Sequence, residues 1–420
     1  MKGRADSEVC DSINEYAPTL GWSLPMALSL SLSLDERRHN SYCNKERRRI
    51  RIKSMMDYPY DVASAATVRI KDVTSCAQNR KILHRIKNND PSLTYLDIQE
   101  DGDQPYIVRE GDDLGWLGYF IGENEILKSL FIYYLPPQEK VVNFFIGLQR
   151  NKSIKDIECH RRVVRTLGEG LSAIDLPHVT TMTVFDVDET EFDHEEAHHF
   201  ALGLQRLKSL VRYDGPMISE IVTSLASLPM LENVSLWRNE DVAMSREECK
   251  ALSGLLTNAT NMKQLDISCT GLGNEGLTIL AEGLGNNASL TDGVLDLSET
   301  SIGDEGVQVL ALSLANNTKL RELMLADNNI GDVGLEALAD SLVRNRALRV
   351  LSIARNAAIT SVSRILQSSG LEDLRLDGIN FSNQGWNTLA DALSINKSLV
   401  SLSLQCSWGG SQYVLQSTWE

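Results

Sequence analysis

The chain has 420 residues, 42% of them hydrophobic, and a formal net charge of -16. A single compact core of that size would be unusually large, whereas an array that grows by adding units escapes the limit. The excess of acid argues against a surface that condenses on nucleic acid or on an anionic membrane, since phosphate would be repelled.

Residues 1–54 differ in composition from the rest and are expected to be a poorly structured extension. Leu20 to Leu34 is an uncharged run of 15 residues, short of the ~20 that span a bilayer. Asp6, Glu8, Asp11 and Glu15 stand where a secretory signal carries positive charge. The run from 35 to 53 contains Arg47, Arg48 and Arg49, and reads either as a solvated tail or as a nuclear-localisation patch. Seven cysteines (Cys10, Cys43, Cys76, Cys159, Cys249, Cys269, Cys406) are scattered singly with no C-x-x-C, which suits a reducing compartment. Cytoplasmic residence is expected, with the basic run as a route to the nucleus.

Patterned sequence then begins. Ile82, Leu83 and Ile86 share one face of an opening helix from Cys76 to Asn89, which Pro91 closes. Leu93, Leu96 and Ile98 predict the first strand, with an aromatic-rich helix from Trp116 to Leu127 behind it. Leu127, Leu130 and Ile132 lead to a helix from Val141 to Arg150, and Ile154 and Ile157 to Val163 and Leu167. Val179, Met182 and Val184 lead to a helix from His194 to Leu204, and Leu207 and Leu210 to one from Ile218 to Leu228. The stretch 55–230 is therefore expected to be divergent repeats behind an N-terminal capping helix.

Regularity returns at Leu231, Val234, Leu236 and Asn239, followed by the capping box Ser245-Arg-Glu-Glu248. Met262 to Leu348 is one unit written three times: leucines at period two, a polar turn, then leucines and alanines at helical spacing. Leu265, Leu295, Leu323 and Leu351 stand 30, 28 and 28 residues apart, the signature of a solenoid. One such unit can bury its apolar face only against a neighbour, so stacking is obligatory. Leu348, Leu351 and Ile353 open a further unit whose short helix ends near Ser369; Leu371, Leu374 and Leu376 precede a helix from Gln384 to Leu393. Leu399, Leu402 and Leu404 form a last strand. Too little chain follows for a helix and cap, so Trp408, Tyr413 and Val414 fold over the exposed end or the array is truncated.

Leu320, Leu323, Leu325, Asn328, Ile330, Gly331, Gly334, Leu338, Ala339 and Leu342 fill the pattern L-x-x-L-x-L-x-x-N-x-(I/L)-G-x-x-G-x-x-x-L-A-x-x-L. The chain thus resembles ribonuclease-inhibitor-like leucine-rich-repeat proteins, closely from Leu231 to Leu404 and loosely from Leu93 to Leu231. The resemblance implies an α/β right-handed solenoid, a horseshoe with parallel strands on the concave side and helices on the convex side. Residues 231–420 would be its regular repeats, with an incomplete C-terminal cap. The asparagine position holds Asn239, Thr270, Thr300, Asn328, Asn356, Ile379 and Ser407. Asn and Thr there can bond backbone groups of neighbouring turns, so Ile379 is expected to mark a weaker rung.

One string looks catalytic. His194-Glu195-Glu196-Ala197-His198 satisfies the zinc-protease pattern H-E-x-x-H. In register with the sister repeat, however, His194 falls on Asp304 and His198 on Gln308, both solvent-facing positions, while His199 falls on Val309 and points inward. A catalytic zinc also needs a third ligand and a shielded cleft, so neither metal, cofactor nor catalytic residue is expected. No P-loop is present. The sequons at Asn151, Asn258, Asn287, Asn316 and Asn396 fall at the helix-to-strand turn of the repeat, and that at Asn233 in a strand.

What remains is the concave face, where residues between the strand leucines point away from the core. They form a column Ser235, Asp266, Asp296, Met324, Ser352, Arg375, Ser403 and a second column Trp237, Ser268, Ser298, Ala326, Ala354, Asp377, Gln405. Trp237 with Arg238 is an anchor-like pair, unless Trp237 merely packs on a neighbouring rung. The expected function is a non-enzymatic scaffold that holds a protein partner on Ser235, Trp237, Arg238, Asp266, Asp296, Met324, Arg375 and Asp377. A second reading comes from similarity to Ran-GTPase-activating proteins, which share the repeat type: a regulator whose partner is a small GTPase. Neither nucleic acid nor membrane is an expected partner.

Overall fold

A computed structural model of the chain describes residues 67–185, 194–237, 243–285, 290–357, 361–368, 370–408 and 411–418. The expectations for residues 1–54, Arg238, Asn239 and Asn287 fall outside them. The described strands are β1 (Tyr95–Gln99), β2 (Tyr106–Ile107), β3 (Ser129–Ile132), β4 (Asp156–His160), β5 (Thr181–Phe185), β6 (Arg212–Pro216), β7 (Asn233–Trp237), β8 (Gln264–Asp266), β9 (Gly293–Asp296), β10 (Leu320–Met324), β11 (Val350–Ser352), β12 (Asp373–Arg375), β13 (Ser401–Trp408) and β14 (Ser411–Thr418).

They make one 14-stranded sheet in the order β14 to β3 followed by β1 and β2. Every pairing from β2 to β13 is parallel, and a helix separates most consecutive strands. A single core column runs through the register: Leu96, Leu130, Ile157, Met182, Tyr213, Val234, Leu265, Leu295, Leu323, Leu351, Leu374 and Leu402. All twelve are buried. Helical residues such as Leu280, Leu310 and Leu338 complete this core from the other layer. The strand and helix faces of each unit are thus joined by apolar contact, as stacking requires.

Two sets of polar turns pin the rungs. After the strands, Asn328 Nδ2 donates to Leu297 O of the preceding rung at 2.8 Å, while its Oδ1 accepts from Ile302 N at 2.9 Å. Asn356 repeats this with Leu325 O and Ile330 N. Thr270 donates to a carbonyl of its own turn, Ile267 O; Thr300 is shared between Leu297 O of its own turn and, at 3.3 Å, Asn328 Oδ1 of the next rung; and Ile379 is buried with no polar side-chain atom to offer. Before the strands, a second ladder of Asn124, Asn151, Asn317, Asn345 and Asn396 does the same work. Each Oδ1 accepts two backbone N–H groups of its own turn and each Nδ2 reaches a carbonyl one rung back.

Four features differ from expectation, each for a local reason. The aromatic helix is Gly115–Glu123 and stops before Leu127, because Asn124 is extended and its Oδ1 takes the N–H groups of Ile126 and Leu127. Leu207 and Leu210 are buried turn residues; the strand beyond them is Arg212–Pro216, whose core positions hold Tyr213 and Gly215 instead of leucines. A short strand, β2, lies outside β1, tied by Asn79 Oδ1 accepting from Ile107 N at 2.8 Å and Asn79 Nδ2 donating back to Ile107 O. After Leu404, β13 continues to Trp408 and pairs antiparallel with β14, a pairing that the repeat pattern does not express.

Candidate functional site

The outward face of the sheet is set by strand alternation. With one set of side chains in the core, the intervening residues stand on the opposite surface. The register aligns Asp97, Phe131, Glu158, Thr183, Asp214, Ser235, Asp266, Asp296, Met324, Ser352, Arg375 and Ser403 as one column. Ser235, Asp266, Asp296, Met324 and Arg375 therefore share the column read from the sequence, and each is half-buried. Trp237 and Asp377 belong to the neighbouring column, and Arg238 lies outside the described residues.

Position alone does not make these residues available. Arg375 is held by Asp373, Nη2 to Oδ2 at 3.0 Å. Asp377 accepts from Ser403 Oγ at 2.8 Å. Asp266 accepts from both the N–H and the hydroxyl of Ser268, and Asp296 from Ser298 N. The indole Nε1 of Trp237 donates to Val184 O at 3.1 Å, so Trp237 packs across a neighbouring rung and its N–H is occupied.

The denser chemistry lies in the divergent repeats, where the sequence columns were not extended. Phe131 of β3 and Phe185 of β5 stack with centroids 4.7 Å apart and planes 11° from parallel, over β4. His160 meets Phe185 edge-on at 5.4 Å and Tyr133 at 4.4 Å, and Tyr95 lies 6.2 Å from Phe131. Asp97, Glu158 and Asp214 belong to the same surface. Burial raises the carboxyl of Asp97 above its ordinary value. It does the same at Asp214, where the charge of Arg212 opposes the rise and that of Asp266 adds to it. The sequence signal was present as aromatic or acidic residues between core positions, as in Leu130-Phe131-Ile132, but aligning it needed the strand register.

The zinc pattern sits elsewhere, on the helix His194–Leu204. His194 is 94% exposed in its side chain with Nδ1 3.4 Å from Glu220 Oε1, and Glu195 pairs with Arg165 at 2.7 Å. His199 is 17% exposed in the seam against Glu169, not in the core. Among the described residues no group of three or more His, Cys, Asp or Glu is arranged to hold a metal. Also on the helix side, a shallow groove of ≈ 550 Å³ between Ser219–Leu225 and Arg246–Asn258 is lined by small and polar residues including Thr223, Ser227 and Lys250.

A family described as "Leucine Rich repeat" matches residues 258–281, 287–311 and 316–339. These are leucine-rich repeats. Their strand-and-helix unit is the one that the register carries on from β1 to β13, so the described array is a leucine-rich-repeat solenoid. No curated protein matches the chain. Among solved structures, an internalin (InlF) from Listeria monocytogenes is 15% identical, with TM-score 0.42, over 79% of this chain and 90% of that one. Leiomodin-1 actin-binding site 2 is 22% identical, with TM-score 0.31, over 37% of this chain and 91% of that one. The TLR13–ssRNA13 complex is 15% identical, with TM-score 0.36, over 67% of this chain and 43% of that one. Likeness at this level says nothing of partners.

Proposed function

We propose that this chain is a non-enzymatic scaffold that holds a protein partner on the strand face of its leucine-rich-repeat array, in the subtype of the ribonuclease-inhibitor-like proteins. One observation carries the reading: an in-register column of chemically varied side chains, half-buried except at the buried Ser352, runs from Asp97 to Ser403 along a face that the helices do not occupy. Extended surfaces of this kind sum many weak contacts into one specific interaction. The partner is placed on Ser235, Trp237, Asp266, Asp296, Met324, Arg375 and Asp377, with Arg238 following β7 in sequence.

Free thiols at Cys76 and Cys159 support residence in a reducing compartment, cytoplasm or nucleus. The GTPase-activating reading finds no specific support, since Arg355 and Arg375 on this side are paired with Asp327 and Asp373. The test is capture from cell extract on the full chain, comparing wild type with Glu158→Lys plus Asp266→Lys on the strand face and Lys250→Glu on the helix face. The expected result is a stoichiometric protein lost from the first variant and retained by the second; loss from the helix-face variant alone would move the site.

A further inference from the structure

Resting on the scaffold reading above, we infer that the strand face from β1 to β9 is a docking track for an arginine-rich extended segment of a partner protein, carrying a cation at every third residue. The first observation is alternation. Carboxylates stand on β1 (Asp97), β4 (Glu158), β6 (Asp214) and β8 (Asp266), and aromatic rings on the strands between, β3 (Phe131), β5 (Phe185) and β7 (Trp237). Asp296 on β9 extends the acid.

The second is that these carboxylates have no directly bonded cation. Among the described residues Asp97, Glu158, Asp214, Asp266 and Asp296 form no ion pair; their hydrogen-bond partners are neutral, such as Gln99, Ser268 and Ser298. Arg212 acts on Asp214 through its field without a direct bond. The contrast is with the far end of the sheet, where Arg375 and Arg349 neutralise Asp373 and Glu372. A cationic partner is the complement that such a face lacks.

The third is spacing. Neighbouring strands lie about 4.8 Å apart, so carboxylates on alternate strands repeat at about 9.6 Å. A polyproline II chain has three residues per turn and rises about 3.1 Å per residue, a repeat of about 9.3 Å. A fully extended strand would present same-side residues at about 6.7 Å and fall out of step. Arginine fits better than lysine, because a guanidinium can bond a carboxylate in a fork while stacking on an adjacent ring. The Phe131–Phe185 stack supplies such a ring already in place.

The experiment uses the full chain and two fluorescent peptides of identical composition in a proline and alanine background. One carries four arginines at every third position and the other carries them consecutively. Anisotropy titration is expected to give binding of the periodic peptide on the order of tenfold tighter. That preference should be lost in Glu158→Gln plus Asp214→Asn and reduced in Phe185→Leu, with circular dichroism confirming that the variants remain folded. Equal or tighter binding of the consecutive peptide overturns the proposal. If neither peptide binds while strand-face substitutions still abolish capture from extract, the cationic track is wrong and the scaffold reading stands. If capture also survives those substitutions, both fall. Self-association in sedimentation that the same neutral variants abolish would identify the occupant as a second copy and likewise overturn it.

Discussion

The indole N–H of Trp237 reaches across β6 to the carbonyl of Val184, 3.1 Å away. In the β5–β6 register Arg212 N donates to Thr180 O at 3.0 Å and Thr183 faces Asp214. Continued by the same two-residue step, the ladder would have Pro216 serve Val184, and proline has no N–H. Trp237 supplies the missing donor. Its half-buried ring is therefore positioned by a backbone need before any partner arrives.

Trp237→Phe should lower stability by about 1 kcal/mol or somewhat more, since it leaves the carbonyl unmet. In a Pro216→Ala background, where a ladder donor returns, the same substitution should cost measurably less. Urea unfolding of the four proteins in this cycle checks the coupling; identical costs in both backgrounds would refute the account.

Tyr213 and Gly215 occupy successive core positions of β6, and a Cβ on Gly215 would run into the Tyr213 ring and hydroxyl. A ring and a missing side chain replace two aliphatic ones. Gly215→Ala alone should destabilise by about 1 to 3 kcal/mol through overpacking, and adding Tyr213→Leu should recover part of that loss in thermal unfolding. A neutral Gly215→Ala would remove the basis for this compensation.

Asp97 and Asp214 have carboxyl groups raised above their ordinary value of 3.8, first by burial. Between that value and the raised ones the folded chain holds more protons than the unfolded chain. The contribution of these groups therefore improves as pH falls through the window and is unfavourable above it. Asp97→Asn and Asp214→Asn should each be more stable than wild type at neutral pH, with the advantage shrinking toward pH 3.8. Denaturation at several pH values tests this, and an advantage independent of pH would count against it.

Asn151 is 5% exposed, and its Nδ2 donates to Ile121 O at 2.7 Å and Asn124 O at 2.8 Å. A glycan on that nitrogen would break both bonds. If the chain is forced through a secretory pathway, peptide mass spectrometry of the folded product should find Asn151 unmodified despite its sequon. Occupancy there in folded protein would show that the ladder is dispensable.

Leu323 and Leu127 are both fully buried, so alanine at either should cost roughly 2 to 5 kcal/mol through a cavity. Their positions in the array differ. Rungs on both sides rest on Leu323, so its loss should split the solenoid, whereas Leu127 should disturb its own end. Hydrogen exchange is expected to protect residues 265–351 most; equal protection of residues 93–185 would show the divergent repeats to be no weaker.

The regular repeats were legible because each residue choice agrees with the unit around it: leucines at period two, a polar turn, helical spacing, and Asn328 at the turn. The helix His194–Leu204 was read to the residue, and the column from Ser235 to Ser403 follows from alternation alone. The Asn124 to Asn396 ladder was also written in sequence, as asparagine three residues before the first strand leucine, but its meaning lies in carbonyls one rung away. β6 stayed hidden because Tyr213 and Gly215 share one volume in a way no single-residue pattern expresses. The Phe131–Phe185 stack, the alternation of carboxylates with rings, and the Trp237 bond to Val184 join residues 23 to 54 positions apart. Local sequence sets which way each side chain points; which residues become neighbours across rungs is set by strand register, and that register is fixed only when the units stack.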